Sequence, residues 1–171
     1  MTMKKFNLLL VLVISLAFKA YAGDGDILIK CSTGLAWQKT AWATIGVEWE
    51  VKYHNAWEIY CDFATAFKYC ENDHTYLCEE TFWDYRTFGI GAAYKPSLYK
   101  WKNLNLRGIF STDLGTKQEK SFFLSLAIGP ELTYTFKSRI QLFLLQKNEF
   151  CFWCRDHFRN GIMVGIKIPL N

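Results

Sequence analysis

Large apolar side chains occupy every second position over long stretches of this chain, and this period limits the folds it can adopt. In 122–136 one parity is apolar or aromatic apart from Pro130, while the other carries small or polar residues, and 158–170 repeats the pattern. Successive side chains point to opposite faces of a strand, so a period of two indicates strands with one apolar face. Neither segment fits the 3.6-residue period of a helix.

Six further segments show a weaker form of the same alternation, which brings the predicted strands to eight. They are 27–37, 43–53, 57–69, 86–94, 104–110 and 140–146. Several are about ten residues long, more than the five or six usual in a soluble sheet. That length suits a tilted strand that crosses a bilayer.

The connections between these segments tend to alternate in length. The longer, polar ones are 38–42, 70–84, 112–120 and 147–157, and the others are 54–56, 95–103 and 137–139. Outer-membrane barrels have long outer loops and short periplasmic turns. The pattern favours such a barrel, with 95–103 longer than a short turn should be.

The second face of the predicted strands combines small residues with charges of both signs. The charges expected to share the interior are Lys30, Glu48, Glu50, Lys52, Asp62, Arg107, Glu131 and Lys167, with Glu58 on the same parity. A narrow barrel has room inside only for its own side chains, and paired charges can fill it. The predicted fold is therefore an all-β, eight-stranded, antiparallel up-and-down transmembrane barrel. A soluble calyx or sandwich is the alternative, because alternation alone does not identify the wet face.

The N-terminus has the features of an export signal. Lys4 and Lys5 precede an apolar stretch at 6–18, and small residues flank a predicted cleavage after Ala22. We therefore expect a signal peptide at 1–22 and a barrel domain at 23–171. Removing Lys4, Lys5 and Lys19 from the 20 bases leaves 17 against 16 acids, a net charge of +1. This balance gives no support to nucleic-acid binding.

The cysteines of an exported chain first suggest disulfides. Two pairs lie close in sequence within predicted loops, Cys70 with Cys78 and Cys151 with Cys154. The second pair also has the spacing of a redox motif, although no helix start is predicted there to activate a thiol. His74 between Cys70 and Cys78 lacks the paired spacing of a zinc site. We expect no metal, no cofactor and no catalytic residues.

Two segments resemble small outer-membrane barrels of Bacteroidetes, in particular the TraO-type proteins encoded in conjugative transposons. They are AIGPELTYTFKSR at 127–139 and FRNGIMVGIKI at 158–168, supported by YHNAWE at 53–58 and GIGAAYKP at 89–96. The resemblance implies an outer-membrane location and an accessory or structural role in conjugal DNA transfer.

The predicted partners follow from this location. The barrel would be surrounded by outer-membrane lipid, and other proteins of the transfer apparatus would contact aromatic loop residues, namely Trp83, Phe152 and Trp153. No direct contact with nucleic acid is expected. Three alternatives stay open: a general structural or adhesion barrel, a soluble secreted ligand-binding barrel, and a lipid A-modifying enzyme.

Overall fold

The computed structural model describes residues 25–37, 39–66, 86–117, 122–154 and 157–170, which form a single antiparallel sheet that closes on itself. The strands are β1 Ile27–Ala36, β2 Thr40–Glu50, β3 Ala56–Ala66, β4 Thr87–Lys95, β5 Ser97–Trp101, β6 Leu104–Lys117, β7 Phe122–Thr135, β8 Gln141–Phe152 and β9 Phe158–Pro169. One turn of 3₁₀ helix, Lys52–His54, joins β2 to β3. None of the described ranges contains a helix long and apolar enough to cross a membrane. The predicted signal peptide, 1–22, lies outside the described residues.

Strands that follow one another in sequence pair in the sheet, except β4 and β5, and the first strand pairs with the last. The β1–β9 pairing runs from Leu28 opposite Pro169 to Ala36 opposite Gly161. On the other side, β4 pairs with both β3 and β6. Since β5 pairs only with β6 and continues the line of β4, the ring has eight strand positions. The predicted eight-stranded antiparallel barrel is confirmed.

The segment predicted as the connection 95–103 is instead mostly strand. Pro96 interrupts the alternation, but its carbonyl still accepts a hydrogen bond from the Gly108 amide at 2.9 Å, so pairing with β6 continues into β5. The connection shrinks to Lys102 and Asn103. Proline lacks an amide hydrogen and marks an irregularity in a strand rather than its end here.

Three other predicted connections are also shorter in the structure. Strand β2 begins at Thr40, inside the predicted loop 38–42, while β6 reaches Lys117 and β8 reaches Phe152, inside the predicted loops 112–120 and 147–157. Polar residues in these segments belong to strands because their side chains point into a polar interior. Polarity alone therefore misplaced the strand ends.

The barrel has two chemically distinct ends. At one end, which we call the turn end, the short connections 51–55, 102–103 and 136–140 join the strands. Strand β1 begins and β9 ends there. At the opposite end, which we call the loop end, β1, β3, β6 and β8 end and β2, β4, β7 and β9 begin. An even number of strands places both ends of the sheet on the same side, and the Leu170 amide donates to the Ile27 carbonyl at 2.9 Å there.

The outer wall is apolar and the interior is charged. Ile90 and Leu114 are 66% and 65% exposed, whereas Lys95, Lys167 and Glu131 are fully buried. A soluble protein would place the aliphatic side chains inside and the charges outside. This orientation matches the one predicted for a membrane barrel, in which lipid covers the apolar wall.

Small residues make room for the aromatic side chains of the interior. A Cβ atom at Gly165 would lie 2.4 Å from the Cys31 carbonyl oxygen and 2.6 Å from the Phe143 ring, and one at Gly91 would overlap Asp113 and Tyr60. Such distances are below van der Waals contact, so any larger residue must displace these neighbours. Gly91 and Gly165 are therefore required by packing.

We predict that Gly165→Val destabilises the barrel by about 1–3 kcal/mol, because the new side chain crowds the Cys31 carbonyl and forces the Phe143 ring out of its position. Urea unfolding of the membrane-reconstituted protein, followed by the band shift of folded barrels on gels, measures the change. Val164→Leu, on the adjacent outer-facing position, serves as the control. Phe143→Leu in the Gly165→Val background should recover part of the loss, and equal stability of all four proteins would contradict the packing argument.

Candidate functional site

Buried charges fill the barrel in two groups. The turn-side cluster consists of Lys30, Glu48, Glu50, Glu58, Lys95, Arg107, Glu131 and Lys167. The loop-side cluster consists of Asp62, Asp113, Lys147, Glu149 and Arg159. In each strand the apolar residues point outward, and these charged residues occupy the alternate positions. The alternation of the sequence therefore directs the charges into the barrel.

Two lysines and two glutamates alternate at the centre of the turn-side cluster. Lys167 Nζ lies 2.8 Å from Glu48 Oε1 and 2.5 Å from Glu131 Oε1. Lys95 Nζ lies 3.0 Å from Glu131 Oε2 and also pairs with Glu48. Each charge therefore has two partners of opposite sign, which offsets the cost of removing it from water.

The remaining members extend this centre in two directions. Arg107 donates to Glu48 Oε1 at 2.7 Å and also binds Glu50, which is partly accessible from the turn end. On the other side, Lys30 Nζ lies 2.8 Å from Glu58 Oε1, while Glu58 Oε2 lies 2.6 Å from Lys95. Four bases meet four acids, so the cluster has no net formal charge.

In the loop-side cluster one ammonium group lies among three carboxylates. Lys147 Nζ is 3.5 Å from Asp62 Oδ2, 3.8 Å from Asp113 Oδ2 and 3.4 Å from Glu149 Oε1. The carboxylate oxygens lie within 4.8 Å of one another, the spacing of a cation site. Lys147 supplies a positive charge at this position.

Hydrogen bonds and a second base complete the loop-side cluster. Ser125 Oγ lies 2.7 Å from Asp113 Oδ2 and 2.8 Å from Glu149 Oε1. Arg159 Nη1 lies 3.8 Å from Glu149 Oε2. Three acids and two bases leave one formal negative charge.

Little space remains between the two clusters. A cavity of about 20 Å³ there is lined by members of both, including Lys30, Glu58 and Lys147. This volume suits about one water molecule. The Phe143 ring adds to the turn-side cluster, with Lys30 Nζ at 4.8 Å and Lys167 Nζ at 5.1 Å from the ring centroid. The described part of the lumen is therefore plugged by its own side chains.

The structure brings together most of the charges that the sequence placed inside. Buried in the two clusters are Lys30, Glu48, Asp62, Arg107, Glu131 and Lys167, with Glu50 at the edge. Lys52 is not among them. It lies exposed in the 3₁₀ turn, because β2 ends at Glu50 and the alternation of faces ends with it.

Five buried charges were not in the predicted network, namely Lys95, Asp113, Lys147, Glu149 and Arg159. Four of them fall in or beside segments predicted as connections. Each nevertheless continues the inner parity of its strand: Lys95 follows Gly91 and Ala93, and Lys147 follows Phe143 and Leu145. Extending the alternation across polar positions would have found them.

The loop end carries a short disulfide-closed turn. Cys151 and Cys154 are bonded, in agreement with one of the predicted pairs, and both are buried. Between them, Phe152 and Trp153 are exposed. Cys31 and Cys61 are free and exposed on the outer wall. Cys70, Cys78 and Trp83 lie outside the described residues.

Comparison with known proteins supports the fold and gives no family. No family model matches the chain, and no curated protein matches it. The structure is similar to a major outer membrane protein from Thermus thermophilus over 86% of this chain and 100% of that one, with 10% identity and a TM-score of 0.54. It is also similar to a de novo designed transmembrane β-barrel over 85% and 96%, with 9% identity and a TM-score of 0.50.

The fold, the apolar wall and the charged interior together define the class of protein. The chain has the fold of a small transmembrane β-barrel with a plugged interior. The TraO-type resemblance stays a prediction from the sequence.

We predict that Lys147→Met destabilises the barrel by about 3–5 kcal/mol, because it leaves three buried carboxylates without their shared ammonium group. Chemical unfolding in lipid vesicles measures the effect, with Lys39→Met at an exposed turn position as the control. Asp62→Asn added to Lys147→Met should restore part of the stability. A single variant as stable as the wild type would show that Lys147 does not hold this cluster together.

Proposed function

We propose that this protein is a non-enzymatic outer-membrane barrel that anchors a contact site at its loop end, as an accessory component of a conjugal DNA-transfer apparatus. The turn end, with its short connections, would face the periplasm and the loop end the exterior. The barrel itself would hold the contact site in the membrane and would not transport a solute.

The plugged interior supports an anchoring role. The turn-side cluster draws side chains from seven of the eight strand positions, and the cavity beside it measures about 20 Å³. A pore would need a continuous water-filled path, and a ligand-binding calyx would need an apolar cavity of several hundred Å³. The observed interior is typical of neither, so a partner would be engaged outside the lumen.

The observation that carries this proposal is the disulfide-closed turn at the loop end. The Cys151–Cys154 bond closes a four-residue unit around Phe152 and Trp153, whose ring centroids lie 6.2 Å apart. Lys117 Nζ donates to the Trp153 carbonyl at 2.7 Å and ties the turn to β6. An exposed aromatic pair on a constrained backbone loses little conformational entropy on binding.

The described residues offer little support for catalysis, and the composition offers little for direct DNA contact. The described histidines lie at opposite ends, where His54 contacts Lys100 and His157 contacts the Cys151 carbonyl. The near-neutral charge predicted for residues 23–171 gives no support to phosphate-backbone binding. The TraO-type resemblance of the sequence directs the search for a partner to proteins of the transfer apparatus.

The plugged interior predicts the electrical behaviour of the purified protein. Reconstituted in a planar bilayer at neutral pH, it should show no stable conductance steps. Insertion is verified in parallel by protease protection in vesicles. Reproducible steps from inserted protein would mean that the lumen opens, and would replace the anchoring role with a channel.

Mating frequency tests the loop-end contact. A donor lacking the gene is complemented with wild type, with Phe152→Ala/Trp153→Ala, or with Phe122→Ala/Phe158→Ala, which removes two exposed aromatics of the same end outside the closed turn. We expect the first variant to lower transfer at least tenfold and the second to match wild type, with equal amounts in outer-membrane fractions. Wild-type transfer by every strain, including the deletion, would remove the conjugal role.

A further inference from the structure

We propose that the turn end is a binding surface for the anionic headgroups of phospholipids in the leaflet that surrounds it. The inference rests on the proposed membrane location and goes beyond it, because it assigns a ligand chemistry to one end of the barrel. It is carried by the charge of the three turns and by the aromatic side chains beside them.

Every connection at the turn end is basic. The exposed cations, which together we call the rim, are Lys52 in the first turn, Lys100 and Lys102 at the second, and Lys137 and Arg139 in the third. Among the described residues of this end, Asp26 is the one acid outside the lumen clusters. Its Oδ1 lies 4.0 Å from Arg139 Nη1. Glu50 is engaged by Arg107 at the edge of the lumen. Among the described residues, the rim therefore has five exposed cations against one partly exposed acid, an excess of positive charge.

Several residues of these turns have a backbone conformation that other residue types adopt more easily. Tyr53, His54, Lys102 and Arg139 have φ values of 62°, 62°, 50° and 64°. Glycine or asparagine reaches this left-handed region at lower cost than a long or aromatic side chain. Lys39 and Trp153 at the loop end have φ values of 55° and 62° as well, so this conformation accompanies the rim without distinguishing it.

The cations stand beside exposed aromatic rings. Strand β5 is exposed on both faces, and its Tyr99 and Trp101 are 65% and 56% accessible. Lys102 Nζ lies 5.4 Å from the Trp101 ring centroid. The β5 hairpin is fixed to the first turn, since the Ser97 amide donates to Asn55 Oδ1 at 2.9 Å and Lys100 Nζ lies 3.0 Å from His54 Nδ1.

This combination matches the chemistry of a lipid headgroup layer. Aromatic rings are favoured at the level of the headgroups, and lysine or arginine near an anionic surface adds attraction. The continuous apolar wall ends directly at the rim, so phosphate groups of the adjoining lipids come within reach of the cations. An acidic protein would also match the charge, but it would not account for the position of the rings at the border of the apolar wall.

The test compares the thermal unfolding of full-length protein in neutral phosphatidylcholine vesicles and in vesicles in which about a third of the lipid is phosphatidylglycerol. Native mass spectrometry counts the retained phosphatidylglycerol. The rim variant is Lys100→Gln/Lys102→Gln/Lys137→Gln/Arg139→Gln. Two controls accompany it: Lys39→Gln, an exposed loop-end lysine with a similar φ of 55°, and the triple exchange Lys100→Arg/Lys102→Arg/Lys137→Arg, which retains charge.

We expect wild type and both controls to prefer phosphatidylglycerol, and the rim variant to lose about fivefold in preference for each charge removed, with the preference weakened by salt. Insertion without any lipid preference, or a preference that the rim variant keeps, overturns this inference and leaves the proposed function intact. Failure to insert into either vesicle overturns the membrane location and the inference together. Capture of polyglutamate by wild type alone, without a lipid preference, would assign the rim to an acidic protein instead.

Discussion

The pairing of buried charges inside the barrel is the constraint on which the rest of the structure depends. An eight-stranded ring encloses little more than its own side chains, and an unpaired charge there costs several kcal/mol. The turn-side cluster meets this constraint with four bases and four acids from seven of the eight strand positions. A slip of one residue in any of these strands would turn its charge toward the outer wall. The ionic network therefore specifies the register as well as filling the lumen.

Because the interior is plugged and the wall is largely apolar, the two ends of the barrel are the surfaces available for specific contacts. These ends differ from each other chemically. The loop end presents an aromatic pair on a turn closed by the Cys151–Cys154 disulfide. The turn end presents cations and aromatic rings on three short connections. Strand β5 extends there beyond Ala56, the first residue of β3. We propose that the first binds a protein partner and the second binds lipid. One end would thus hold the barrel in its leaflet while the other is offered to the outside.

Much of the interior could be predicted from the parity of the sequence. Lys30, Glu48 and Arg107 lie on the inner face because strand geometry alternates side chains strictly. Most of the errors share one physical origin. Polar runs predict loops in soluble proteins, but this barrel has its polar face inside. Lys147 was therefore placed in a connection although it is buried, and so was Trp42, which is almost fully buried.

The sequence by itself determined the strand character, the number of ring positions and which face of each strand is apolar, because a period of two is a local property of the backbone. Only the tertiary structure decided which charges meet. Lys167 and Glu48 are 119 residues apart in sequence and 2.8 Å apart in space. Closure of β1 onto β9 and the register of each pairing bring them together, and both depend on the summed fit of all strands. The pairing with β6 likewise decided that the chain continues past Pro96 from β4 into β5 instead of turning there.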